Sequence, residues 1–287
     1  MTNEASEYQT AQSAEYNFVA FSRDKAYREA NRALILEAFS YLPASFFQVD
    51  VASGTGLVPQ EVGILCQAQG KTATIIGIDP DRFALESARR NTPSTPHCTV
   101  EFVEGRGQDI AQLLKGKIPR EGVDYTSIHD AIHEIRTEGD KKSVLSSMAS
   151  ILRPGGIFTY NSAFTTAAME NSAMEWGRLK SRAFSILGGK RDKQIGAIKI
   201  HTPEQYRQMI VNAGLLIIRD AKRIVIISRT ALEAISRYPA LIEGVFGDMV
   251  GKEKIPLNEM SQALIEAIDS LAITEIPRIW HEIIAQR

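Results

Sequence analysis

Asp50 and Gly54 stand four residues apart in the segment VDVASGTG (49–56), where an apolar run, FFQVDVAS (46–53), meets a Gly-Thr-Gly turn. Gly54 and Gly56 permit positive φ and let the backbone come close to a ligand. The helix that follows offers unsatisfied N–H groups at its start. Nicotinamide and flavin enzymes use such turns too. Here the third glycine of a dinucleotide site is missing, and Pro59 occupies its region. A carboxylate at Asp50 repels a phosphate and attracts an ammonium. Asp79 closes a second apolar run, ATIIGID (73–79), 23 residues after Gly56. An acid there can accept hydrogen bonds from both hydroxyls of a ribose. A plain helix cap is its other reading, because Pro80 and Asp81 follow. Together the two acids fit a ligand with a cationic amino-acid end and a ribose end, which is S-adenosylmethionine.

These residues need a frame that brings strand ends together. After a helical stretch from about Tyr16 to Tyr41, strands read at 46–53, 73–79, 98–104, 124–129 and 157–162. Helices read between them at 57–69, 81–91 and from Asp140, a candidate cap, to Leu152. Five strands alternating with helices predict a parallel sheet covered on both faces. Beyond Ser162 the pattern changes. An added helix reads at 164–188, and Thr202-Pro203-Glu204-Gln205 has the form of a capped helix start. Residues 215–228 read as a strand. Two amphipathic helices follow, one carrying Ile235, Leu241, Ile242, Val245 and Met249, the other running from Leu257 to Leu271. Trp280–Ala285 reads as a final strand.

Composition narrows the function. The 287 residues carry 33 Lys+Arg against 34 Asp+Glu, a formal charge of −1, which argues against nucleic-acid binding driven by overall charge. No apolar run is long enough to span a bilayer, and the polar start, MTNEASEYQTAQSAEY, lacks a signal core. Residues 1–15 read as a loose arm. Cys66 and Cys98 are too few for a disulfide framework or a thiolate metal site, so a reducing, cytoplasmic setting and no metal are expected.

In order and spacing, VDVASGTG, IGIDP (76–80), VEFVEGRGQD (100–109), VDYTSIHDAIHEI (123–135) and LRPGG (152–156) resemble the class I S-adenosylmethionine-dependent methyltransferases. The likeness is greatest to the group containing quinone-biosynthesis C-methyltransferases and small-molecule O- and N-methyltransferases. It implies an α/β fold: a Rossmann-like, doubly wound, seven-stranded, mostly parallel sheet with an antiparallel last strand and a helical lid. The cofactor core would be 45–163, 200–229 and 276–287. Residues 1–44 would form an N-terminal arm and lid helix, and 164–199 and 230–275 lid insertions. The resemblance places Asp50, Ala52, Ser53, Gly54 and Gly56 under the methionine part, Asp79 on the ribose and Pro80 beside the adenine. Arg106, Gly107 and Gln108 would meet the adenine amino group, although Arg106 stands where Asp or Asn is usual. The tip of strand four, at His129 and Asp130, would face the methyl group.

His133 and His129 are candidate bases for an acceptor proton; a satisfied interior histidine is the other reading of each. The expected partner is a small hydrophobic acceptor, with no nucleic acid. HDAIH replaces the proline-aromatic motif of amino-methylating DNA enzymes, and no cysteine stands there for RNA cytosine-C5 chemistry. A cofactor-binding protein with a non-methylating or regulatory role is the alternative.

Overall fold

A computed structural model describes residues 18–192 and 200–287. The loose arm expected at 1–15 lies outside them. The described residues divide into two compact units, Arg28–Ala168 with His201–Arg223 and Ile279–Arg287, and 18–27 with 169–192, 200 and Ile224–Arg278.

The first unit is built on a sheet. The strands of the sheet are β1 (Ser45–Val51), β2 (Thr72–Asp79), β3 (Cys98–Glu104), β4 (Val123–His129), β5 (Leu152–Ser162), β6 (Leu216–Ser228) and β7 (Glu275–Gln286), the end of β6 and the start of β7 falling among the residues of the second unit. They lie in the order β3-β2-β1-β4-β5-β7-β6. Pairs among β1 to β5 are parallel, and β7 runs antiparallel to β5. The expected mostly parallel, seven-stranded sheet is therefore present. The chain moves outward from β1 to β3 and then returns to place β4 beside β1. At such a reversal the two following loops part, which opens a crevice at the carboxyl ends of β1 and β4. Register sets Asp50 opposite Gly77 and Ser127, and His129 opposite Asn161.

One face of the sheet is covered by helices Lys25–Phe39 and Leu57–Gln69. Leu34, Ile35 and Phe39 join Val62 and Leu65 over Phe46, Ile75, Tyr125 and Ile157. The helix expected as a lid is thus a core layer from Leu34 to Phe39, because its apolar stripe faces the strands. Glu61, fully buried, is held by Arg28 and Arg32 across these two helices. Cys66 and Cys98 lie in the same layer, and burial pushes their thiols up to about 11 and about 12. The other face carries helices Glu138–Ile151 and Pro203–Asn212. Val144, Met148, Met209 and Ile210 pack there on Val49, Val51, Ile128 and Tyr160. The cap of the first is Thr137, not Asp140: the Thr137 hydroxyl accepts the Asp140 N–H at 3.0 Å. Thr202 caps the second in a full capping box, as its sequence predicts.

The second unit is helical, with Ala173–Ile186, Arg229–Ile235, Pro239–Phe246 and Leu257–Ser270. The added helix expected from 164 begins only at Ala173. The helix expected to run from Ile235 to Met249 is broken, since Pro239 starts a new helix after extended Tyr238. Phe184 stacks on Phe246 at 5.5 Å, and Phe18 meets Phe21, Tyr27 and Tyr238 at 5.1 to 5.4 Å. Asp248 is buried between Lys180 and Arg191, each at 2.7 Å.

Candidate functional site

The turn after β1 is held by three residues at positive φ: Ala52 at 55°, Gly54 at 52° and Gly56 at 86°. A Cβ at Gly56 would stand 2.7 Å from the Thr92 hydroxyl and 3.2 Å from Ala88, so the turn is pressed against helix Arg82–Asn91. A Cβ at Gly54 would meet nothing within 4 Å. One glycine is needed for packing and conformation; the other leaves an open surface. Helix Leu57–Gln69 begins at Gly56 with no side-chain cap, so its first N–H groups remain available to an acceptor from outside.

Asp79 ties this turn to the end of β2. One carboxylate oxygen accepts the Gly54 N–H and the other the Asp81 N–H, both at 2.8 Å. The helix cap is Asp81, which accepts from Phe83 and Ala84 N–H, and Asp79 is left to face the crevice. Burial raises its carboxyl to about 6 against the pull of these two N–H groups. Pro80 beside it is exposed. Asp50 lies inside the sheet. Its Oδ1 accepts the Ser127 hydroxyl at 2.6 Å, while its buried Oδ2 has no hydrogen-bond partner among the described residues. Burial pushes this carboxyl up to about 7, with the Ser127 bond opposing. The buried Ser53 hydroxyl also lies against this carboxyl and, like Ser127, pulls its pKa down. An interior acid with one oxygen left over, beside uncapped N–H groups, suits a ligand end carrying both an ammonium and a carboxylate. The residues present therefore fit the amino-acid end of S-adenosylmethionine.

Gly77 was not legible as a site residue. A Cβ there would stand 2.6 Å from both the Ser53 hydroxyl and the Phe102 ring, so only glycine lets Ser53 sit over β2. In the loop after β3, a Cβ on Gly107 would come within 2.8 Å of Val51 and 3.0 Å of Val144, which makes it a close-packing glycine beneath the turn. The Gln108 carbonyl accepts the Ser147 hydroxyl at 2.9 Å. The Asp140 carboxyl is held below its usual range by hydrogen bonds from Thr137 and Gln108, with Arg106 adding its charge. Arg106 and Gln108 thus serve the start of helix Glu138–Ile151, and Arg106 is otherwise exposed.

The two histidines part company. His129 is buried, with Nε2 2.9 Å from the Thr159 hydroxyl and Nδ1 3.0 Å from Asn31 Oδ1. Desolvation lowers its pKa to about 3. Asn31 also accepts from Asn161 Nδ2 at 3.0 Å, and Asn161 Oδ1 accepts the Asp130 N–H at 2.8 Å. Asp130, at φ 48°, accepts the Ala163 N–H in turn. His129, expected as a base facing the methyl group, is instead an interior link joining helix Lys25–Phe39 to the ends of β4 and β5. His133 lies beyond β4 in the short turn Ile132–Glu134, half-buried and stacked on Phe164 at 3.9 Å and 21°. Phe164 follows β5, so this pair stands where the two loops diverge. Among the described residues no group of three His, Cys, Asp or Glu is placed to hold a metal, and no helix is long and apolar enough to cross a membrane.

A family described as a methyltransferase domain matches residues 49–158, from the glycine turn into β5. The chain is similar to the release factor glutamine methyltransferase of Mycobacterium tuberculosis, 29% identical over 143 residues in strain CDC 1551 and 32% over 145 in strain H37Rv. Each match covers 44% of this chain, which spans about half, 47%, of the relative's length. In structure it is similar to a Bacillus halodurans protein assigned as a methyltransferase, at TM-score 0.54 and 14% identity over 90% of this chain and 98% of the other. It is also similar to the N-methyltransferase NodS of Bradyrhizobium japonicum bound to S-adenosylhomocysteine, at TM-score 0.50 and 13% identity over 76% and 88%. The strand order and the matched region give this chain the fold of the class I S-adenosylmethionine-dependent methyltransferases, with a methyltransferase domain matched over residues 49–158.

Proposed function

We propose that the protein transfers a methyl group from S-adenosylmethionine to a small hydrophobic acceptor, within the group that includes the quinone and small-molecule methyltransferases. What carries this reading is the buried Asp50 carboxyl, with Oδ2 left over, beneath a turn whose open side is Gly54. When bound, the cofactor supplies an electrophilic methyl group and needs little activation. Asp50 would hold the ammonium end, the uncapped N–H groups at the start of helix Leu57–Gln69 would hold the carboxylate, and Asp79 would accept from the ribose. Pro80 flanks the adenine, and the backbone at Gly107 meets its amino group, since the Arg106 and Gln108 side chains are drawn to Asp140. The protein's contribution is alignment and exclusion of water. His133, stacked on Phe164, accepts the acceptor's proton where there is one to remove.

The test is incubation with methyl-labelled cofactor and fractionated host extract. Label in an apolar small-molecule fraction supports the reading. Label confined to protein overturns the acceptor class and favours a substrate like that named for the Mycobacterium relative. Cofactor binding without transfer to any fraction favours the non-methylating or regulatory role.

A further inference from the structure

β6 ends the strand order, so one of its edges has no neighbouring strand among the described residues. Long, apolar edges invite pairing, and proteins ordinarily shorten them, cover them or load them with charge. β6 runs for 13 residues, and every second residue from 216 to 226 is exposed, the Asp220 carboxylate being also paired with Arg207 and His281 of its own chain. Four of the six are large and apolar: Leu216 at 69% exposure, Ile218 at 37%, Ile224 at 58% and Ile226 at 40%. Between them stand Asp220 and Lys222.

This stripe is complementary to its own reverse: apolar, apolar, acid, base, apolar, apolar one way, with acid and base exchanged the other way. We propose that β6 is the seam of a twofold dimer, in which the strand pairs antiparallel with β6 of a second copy about an axis through Ala221. In that register Leu216 faces Ile226 of the other copy, Ile218 faces Ile224, and Asp220 faces Lys222, so each of the six positions meets a suitable neighbour. A slip of two residues breaks the acid–base match. A slip of one turns apolar positions against the opposite face.

The other face of the strand places Arg219 opposite Arg223 of the second copy. Within its own chain each arginine is already engaged by the buried Glu282, at 3.2 and 2.6 Å, and by Glu37. That face therefore adds no unbalanced charge. A twofold axis makes the surface self-complementary, as a closed dimer requires.

The register has a sharp test in the full chain. Ala221→Cys lies on the axis and is expected to be joined to its own copy by a short bismaleimide, the buried Cys66 and Cys98 staying silent. Leu216→Cys alone is expected not to join, because its two copies would be roughly 34 Å apart along the strands. Mixed with Ile226→Cys, it should join. Light scattering across a wide concentration range should show a dimer. Ile224→Lys should raise the dimer dissociation constant at least about tenfold with the thermal unfolding of the monomer kept. A monomer at every concentration, or equal joining of Ala221→Cys and of Leu216→Cys alone, overturns the proposal. An Ile224→Lys variant that is folded and dimerises as before does so too.

Discussion

Asp79 spends one lone pair of each oxygen on backbone N–H groups and keeps the rest toward the crevice. Asp79→Asn preserves the shape but replaces a charged acceptor with a weaker one. S-adenosylmethionine should bind less tightly by on the order of 2 kcal/mol, about thirtyfold in Kd, and titration calorimetry reads this directly. An affinity like that of the wild type would remove the ribose from Asp79. The histidines separate by what they lose. His129→Ala abandons two interior hydrogen-bond partners and leaves a cavity, so the cost falls on stability, roughly 2–4 kcal/mol by denaturant unfolding. Because the His129 pKa lies at about 3, a kcat that rises with pH in the neutral range comes from another group. His133→Ala should keep cofactor affinity and stability and lower kcat by roughly 10²–10⁴-fold if the ring takes a proton. A fall of less than about threefold would mean that alignment alone suffices.

At the level of elements, the two glycines of the turn make different demands. Gly56→Ala forces a Cβ against Thr92 and Ala88 at positive φ, and should cost on the order of 2 kcal/mol of stability. Gly54→Ala meets no protein atom, so its stability cost should be about 1 kcal/mol while cofactor affinity falls further. Parallel measurement of unfolding and binding on both variants checks the contrast, and equal effects would refute it. The turn was legible because glycine spacing encodes backbone conformation directly. The parallel sheet followed from alternation, though not its strand order, and Thr202-Pro203 announced its helix through cap chemistry. The cap at Thr137 was hidden by its near equivalence to Asp140, three residues on. The break at Pro239 was hidden because apolar periodicity runs straight through it. His129 is the instructive failure. Period two puts Ser127 and His129 on one face of β4, and helix Lys25–Phe39, which reads as a lid, covers that face. Asn31 itself left a trace, as one amide among Tyr27, Leu34 and Ile35 on an apolar stripe. Phe164 left none, since stacking on His133 depends on how two loops leave the sheet.

For the whole molecule, the interior acid sets a dependence on pH. In the folded chain the Asp50 carboxyl ionises at about 7, against 3.8 as its ordinary value. A carboxyl raised on folding contributes stability that is complete below its unfolded pKa and lost as pH rises through its folded one. The stability of the ligand-free protein relative to Asp50→Asn should therefore fall between about pH 4 and pH 7. His129, lowered on folding, acts in the opposite direction as pH falls below 6.5, so the comparison with the variant isolates Asp50. Cofactor binding should reverse the trend by favouring the ionised form, with protons released to solvent in that range. Denaturant titrations across pH, with and without ligand, test both statements; a flat difference would refute them. The two thiols give the same molecule a clock. Cys66 on helix Leu57–Gln69 and Cys98 on β3 are buried in one layer and poorly ionised. A thiol reagent can reach them only when that layer parts, so the rate of labelling measures how often the shelf beneath the glycine turn opens. Ligand-bound protein should label more slowly by the factor that binding adds to the opening free energy, which makes two inert side chains a kinetic gauge of cofactor occupancy without any assay of transfer.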